Sequence, residues 1–104
     1  MNKKFHIALG VTDINASIED YSSRLGCKPC AIVKDTYALF RTETLNISIR
    51  KSDTVGLRHL GWEDSSATDF SEETDVNNIL WERFAASDQI DEILDIWPNA
   101  IIQK

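Results

Sequence analysis

Glycine, proline, cysteine and histidine are all scarce in this chain. With only 4 glycines there is no loop able to wrap a phosphate, so no nucleotide cofactor is expected. Neither a Ser-His-Asp order nor a nucleic-acid-binding motif is present. Positive charge is also short: 11 Lys and Arg stand against 17 Asp and Glu, a formal charge of −6, and Lys3-Lys4 is the one basic cluster. Binding to nucleic acid or to an anionic membrane surface is therefore not expected, since both need clustered cations. No stretch approaches the roughly 20 apolar residues of a membrane span. The short apolar run after Lys4 meets Asp13 too early to be a signal-peptide core. These absences lead to the expectation of a soluble, cytoplasmic protein.

The two cysteines raise a separate question, because they stand as CxxC in "GCKPC", Gly26 to Cys30. A redox pair of this spacing belongs at a helix N-terminus, where the dipole favours a thiolate. Here Gly26 ends a helical pattern and Pro29 leads into an extended one, so the nearby pole is negative. A zinc site would need about two more Cys or His ligands, and the chain offers only His6 and His59. The segment is read as a helix stop and a turn.

What is present is a regular alternation of patterns. In "FHIALGV", Phe5, Ile7, Leu9 and Val11 share one face and His6, Ala8 and Gly10 the other, the period of a strand. Ile14, Ile18, Tyr21 and Leu25 then recur at helical spacing, with Asp13 as N-cap and Gly26 as stop. "CAIVKD", "TYALFRT" and "LNISIRK" read as three strands, and "GLRHLGWED" as a fourth with His59 and Gly61 on one face. Residues 65–78 are polar and acidic and read as a long loop. "ILWERFA" reads as a strand. Ser87 is placed as the cap of a second helix carrying Ile90, Ile93, Leu94 and Trp97 and ended by Pro98, and "AIIQ" as an edge strand. At 104 residues and 42% hydrophobic, the chain is sized for one domain, residues 1–104.

The order "HIALGV", "TDINASIEDYSSRLG", three strands, then "GLRHLGWE" resembles the vicinal oxygen chelate superfamily, which includes glyoxalases, bleomycin-resistance proteins and extradiol dioxygenases. The resemblance covers about the first 63 residues. It implies an α+β fold, a β-α-β-β-β module followed by a truncated second module, with a curled mixed sheet forming an open cup that a homodimer completes. Metal ligands in that family project from the first strand of each module and from a last strand. Residue by residue, His6 and His59 fall on the two first-strand histidines. "NNILWERF" resembles the final strand at Asn78, Trp81 and Glu82, which makes Glu82 the third ligand. Where the glyoxalase branch has a further glutamate, this chain has Asn46, a poor metal ligand, so a three-ligand site is implied rather than a four-ligand one.

Two imidazoles and one carboxylate form a facial set that leaves open positions on Fe, Mn, Ni or Zn for a small oxygenated ligand. A divalent-metal-dependent lyase, isomerase or dioxygenase is one expectation. The other is a metal-free protein, in which the histidines are hydrogen-bonded residues of the fold and the chain sequesters a small molecule or keeps only a dimeric interaction role. Asn46, Ser48 and Arg50 share one strand face and are the expected ligand-binding residues. Arg50 can also be read as an exposed strand end, and Glu82 as a surface glutamate.

Overall fold

In the computed structural model, which describes residues 3–103, ten elements follow one another: β1 (Lys3–Val11), α1 (Ile14–Leu25), β2 (Ala31–Val33), β3 (Tyr37–Arg41), β4 (Leu45–Lys51), β5 (Gly56–Asp64), β6 (Ser71–Thr74), β7 (Leu80–Phe84), α2 (Ala86–Ile96) and β8 (Ile101–Ile102). The strands form one mixed sheet in the order β6-β7-β5-β1-β4-β3-β2-β8. The fold class is α+β.

Alternation along the strands sends apolar side chains to both faces, and each face takes one helix. On β3, Ala38 and Phe40 pack with Val11, Ile49 and the α1 residues Ile14, Ile18, Tyr21 and Leu25. Tyr37 and Leu39, one residue out of phase, pack with Val33 and the α2 residues Ile90 and Ile93. The boundaries of α1 follow from its caps. The Asp13 carboxylate accepts from the Ala16 N–H at 3.0 Å, and Gly26 adopts the left-handed conformation at φ 70°, which costs glycine no Cβ clash. Cys27 packs with the α1 core and Cys30 with the α2 core. Both thiols are free, and burial raises the pKa of Cys30.

The second half departs from the sequence expectation in three places. The acidic stretch 65–78 is not all loop, because Ser71–Thr74 forms β6 against β7. The turn between them is built by Asp75, whose carboxylate accepts from the N–H groups of Asn77 and Ile79 and from Trp81 Nε1, while Asn78 takes the left-handed conformation at φ 64°. The second helix starts before Ser87: Ala85 is its N-cap, and the Asp88 carboxylate accepts the Ala85 N–H. Finally, α2 lies over the face that the resemblance would leave as an open cup, and β8 returns the chain to pair with β2. Among the described residues no helix is long and apolar enough to cross a membrane.

Candidate metal centre

The site is set by register across four strands. β1 runs parallel to β4 with His6 beside Asn46, and antiparallel to β5 with His6 beside Gly61. β5 runs parallel to β7 with Gly61 beside Glu82. One row therefore reads Asn46, His6, Gly61, Glu82, and His59 lies two residues from Gly61 on the same strand face. The glycine in that row is a geometric requirement: a Cβ at Gly61 would lie 2.2 Å from the Glu82 carbonyl oxygen. Only hydrogen lets β5 and β7 approach this closely.

Above Gly61 three donors converge. His6 Nε2 lies 3.1 Å from His59 Nε2, His59 Nε2 lies 3.0 Å from Glu82 Oε1, and His6 Nε2 lies 3.9 Å from the same oxygen. Donors about 2.1 Å from a common ion at octahedral to tetrahedral angles stand about 3.0–3.4 Å apart. Two of the three separations already fall in that range and the third is slightly long. The three residues could hold a metal ion.

The protonation pattern supports the same conclusion. Arg41 clamps Glu63 with two 2.8 Å bonds, Nε to Oε1 and Nη2 to Oε2. Burial pushes the Glu63 carboxyl up, but the hydrogen bonds from Arg41 and Asn46 together outweigh it and hold the group below the usual carboxylate range. An ionised carboxylate only accepts, so the Asn46 amide must turn its Nδ2 toward Glu63, where it donates at 2.8 Å. Its Oδ1 then faces His6 Nδ1 at 2.8 Å, and the Asn46 backbone carbonyl also lies 3.1 Å from that nitrogen. Two acceptors require a proton on His6 Nδ1, which leaves the Nε2 lone pair aimed at the site, the arrangement of a metal-ligating histidine. Burial also lowers the His6 pKa, which favours the neutral ring.

Asn46, expected at the ligand, thus stands behind His6 with its amide fully used. Besides Glu63 and His6 it exchanges two bonds with Gln89 of α2, Nδ2 to Oε1 at 2.7 Å and Nε2 to Oδ1 at 3.1 Å. The other expected residues come together. His6, His59, Glu82, Ser48 and Arg50 line one pocket of about 100 Å³ together with Tyr37, Arg58, Glu92 and Trp97. Burial raises the Tyr37 pKa, and Ser48 hydrogen-bonds to its hydroxyl. Burial and the neighbouring Glu82 charge raise that of Glu92. Phe84 closes the wall edge-on to His6, with ring centroids 5.0 Å apart. Glu63 was legible as a same-face neighbour of His59 and Gly61. Gln89 carried no sequence signal, because nothing local says which face of the sheet α2 covers.

No protein-family model matches this chain, and no curated protein matches it. Among solved structures 14 chains match. One is a chain from the crystal structure of the NAD-dependent benzaldehyde dehydrogenase from Legionella pneumophila, with a TM-score of 0.55 and 12% identity over 78% of this chain and 97% of that one. At that identity the likeness is one of fold alone.

Proposed function

We propose that this chain is a divalent-metal-binding protein of the vicinal oxygen chelate type that holds a small oxygenated ligand beside His6, His59 and Glu82. The observation that carries this reading is the convergence of His6 Nε2, His59 Nε2 and Glu82 Oε1, with the first nitrogen deprotonated by the network behind it. A bound ion would act as a Lewis acid with open positions for vicinal oxygens, suited to a lyase, isomerase or dioxygenase reaction. This chain's residues would supply the donor set, an apolar wall at Phe84 and hydroxyls at Ser48 and Tyr37.

The layout supports the proposal in a modified form. β1, α1, β2, β3 and β4 follow the order of a complete module, and β5, β6 and β7 would be the shortened second one. The parallel pairs β1–β4 and β5–β7 are equivalent in this reading. All three donors come from one chain, so the homodimer implied by the resemblance would surround the site rather than complete its donor set.

A metal-free binding role is the second reading, and one observation favours it. With His6 Nε2 and Glu82 Oε1 both acceptors, a proton on His59 Nε2 serves both neighbours, and among the described residues no buried side-chain polar atom lacks a partner. Metal analysis of protein purified without chelator or affinity tag separates the two. The metal reading expects about one equivalent per chain, lost in His6→Ala, His59→Ala and Glu82→Gln. Metal-free protein that cannot be reconstituted with Fe, Mn, Ni or Zn ends it.

A further inference from the structure

We infer that the pocket takes a small carboxylate, with Arg50 and Arg58 as its anionic anchor and its neighbouring oxygen turned toward His6, His59 and Glu82. This rests on the pocket being the ligand site proposed above.

Arg58 reaches the pocket through a bulge. The β1–β5 register runs from Ala8 opposite His59 to Leu9 opposite Leu57, so Arg58 is an extra residue with no partner on β1. Simple alternation would send it to the face opposite His59. The bulge instead brings both residues to line the same pocket, which is how bulges re-aim side chains beside functional sites. Arg50 arrives by regular alternation, two and four residues beyond Ser48 and Asn46 on β4. Its guanidinium carbon sits 4.9 Å from the Trp97 ring centroid, and Trp97 in turn packs against Tyr37 in a tilted pair, with centroids 4.9 Å apart and an interplanar angle of 33°. A guanidinium held over an aromatic face keeps N–H donors available for an oxyanion.

Neither arginine pairs with a carboxylate among the described residues. The other arginines, Arg24, Arg41 and Arg83, are each in an ion pair. The charge count points the same way. Two arginines and two glutamates, Glu82 and Glu92, line the pocket and cancel, so a divalent ion leaves it with an excess of positive charge that an anion would offset. Size limits the class: about 100 Å³ is well below the roughly 300–1,000 Å³ of sites for drug-sized ligands. A short 2-hydroxy or 2-oxo acid meets both limits, since a bidentate guanidinium suits its carboxylate.

The test is a titration with L-lactate and with lactamide, its uncharged counterpart, followed by backbone and arginine side-chain NMR shifts. Wild type, Arg50→Gln and Arg58→Gln are compared, each with and without added divalent metal. Expected are lactate-dependent shifts at Gly61 and at the two arginine Nε–H groups, roughly tenfold or greater loss of lactate affinity in each variant, and little response to lactamide. Metal content should be the same in all three proteins. Equal binding of lactamide and lactate, or variants that bind lactate like the wild type, overturns the assignment. Metal uptake with no lactate response also overturns it while the metal reading survives. Arginine-dependent lactate binding by protein that takes up no metal has the opposite meaning: the anion site stands and the metal reading falls.

Discussion

Asn46→Asp is the most informative single change, because it alters one atom at the centre of the network behind His6. The Asn46 Oδ1 side is untouched: an aspartate still accepts from His6 Nδ1 and Gln89 Nε2. On the other side an oxygen replaces Nδ2 and faces Glu63 Oε1 at 2.8 Å and Gln89 Oε1 at 2.7 Å, acceptors both. Losing a hydrogen bond to a charged partner costs about 1.5–3 kcal/mol, and one to a neutral partner about 0.5–1.5 kcal/mol. Repulsion between two buried carboxylates adds to this. A total of about 3–5 kcal/mol near neutral pH follows, a large part of the roughly 5–15 kcal/mol that holds a small domain folded. The loss should depend on pH. The new carboxyl is pushed above its unfolded value of about 3.9, so the folded state is penalised little below that value. The penalty grows as pH rises through the folded-state pKa, because one proton shared with Glu63 restores the missing donor at low pH. Urea unfolding of wild type and variant at about pH 5 and about pH 8 measures both effects. A loss below about 0.5 kcal/mol, or one equal at the two pH values, refutes the hydrogen-bond assignment and with it the His6 tautomer derived from it.

Gly61→Ala should destabilise the protein by about 1–3 kcal/mol in the same assay, because its Cβ would meet the Glu82 carbonyl oxygen at 2.2 Å. Neutral behaviour would mean that β5 and β7 are not this close. Burial holds the His6 imidazole below its ordinary value, so an NMR titration of metal-free protein should give it a midpoint under about 6.5. The associated stability is complete above about pH 6.5 and is lost as pH falls toward the folded-state value, since the unfolded chain binds the proton first. A midpoint at or above 6.5 contradicts a buried neutral ring. The Ser66 backbone N–H and hydroxyl, with Arg83, hold Asp64 at about 2. Ser66→Ala keeps the backbone bond and removes the hydroxyl, so the Asp64 midpoint should rise partway toward its ordinary value. An unchanged midpoint would show that the hydroxyl contributes nothing.

Some of this protein is written in local pattern. Alternation in "FHIALGV" puts His6 opposite the apolar face, and in the structure Val11 is buried and Leu9 partly buried in the core under α1, while Ile7 is half-buried and His6, Ala8 and Gly10 form the more deeply buried face. Asp13 and Gly26 mark α1 to the residue because a cap is a short-range event between a side chain and the next turn of backbone. The segments 45–51 and 56–64 are legible as strands for the same reason. β6 was not: "SEET" has no buried face, and it is a strand only because β7 offers it hydrogen bonds across the Asp75 turn.

The site divides along the same line. Strand phase puts His6 and His59 opposite the apolar faces, and the family resemblance nominates them and Glu82 as ligands. Tertiary structure alone decides that they meet, since their convergence depends on inter-strand register and on a glycine at the one place where β5 must approach β7. It also decides that Asn46 holds His6 rather than a ligand, because its amide orientation is dictated by Glu63, 17 residues away, and by Gln89, 43 residues away. Arg58 reaches the pocket through a bulge that no period-2 pattern encodes. Local sequence specifies periodicity and caps, which act over a few residues. Register, bulges and long-range hydrogen bonds are settled only when distant segments compete for the same partners.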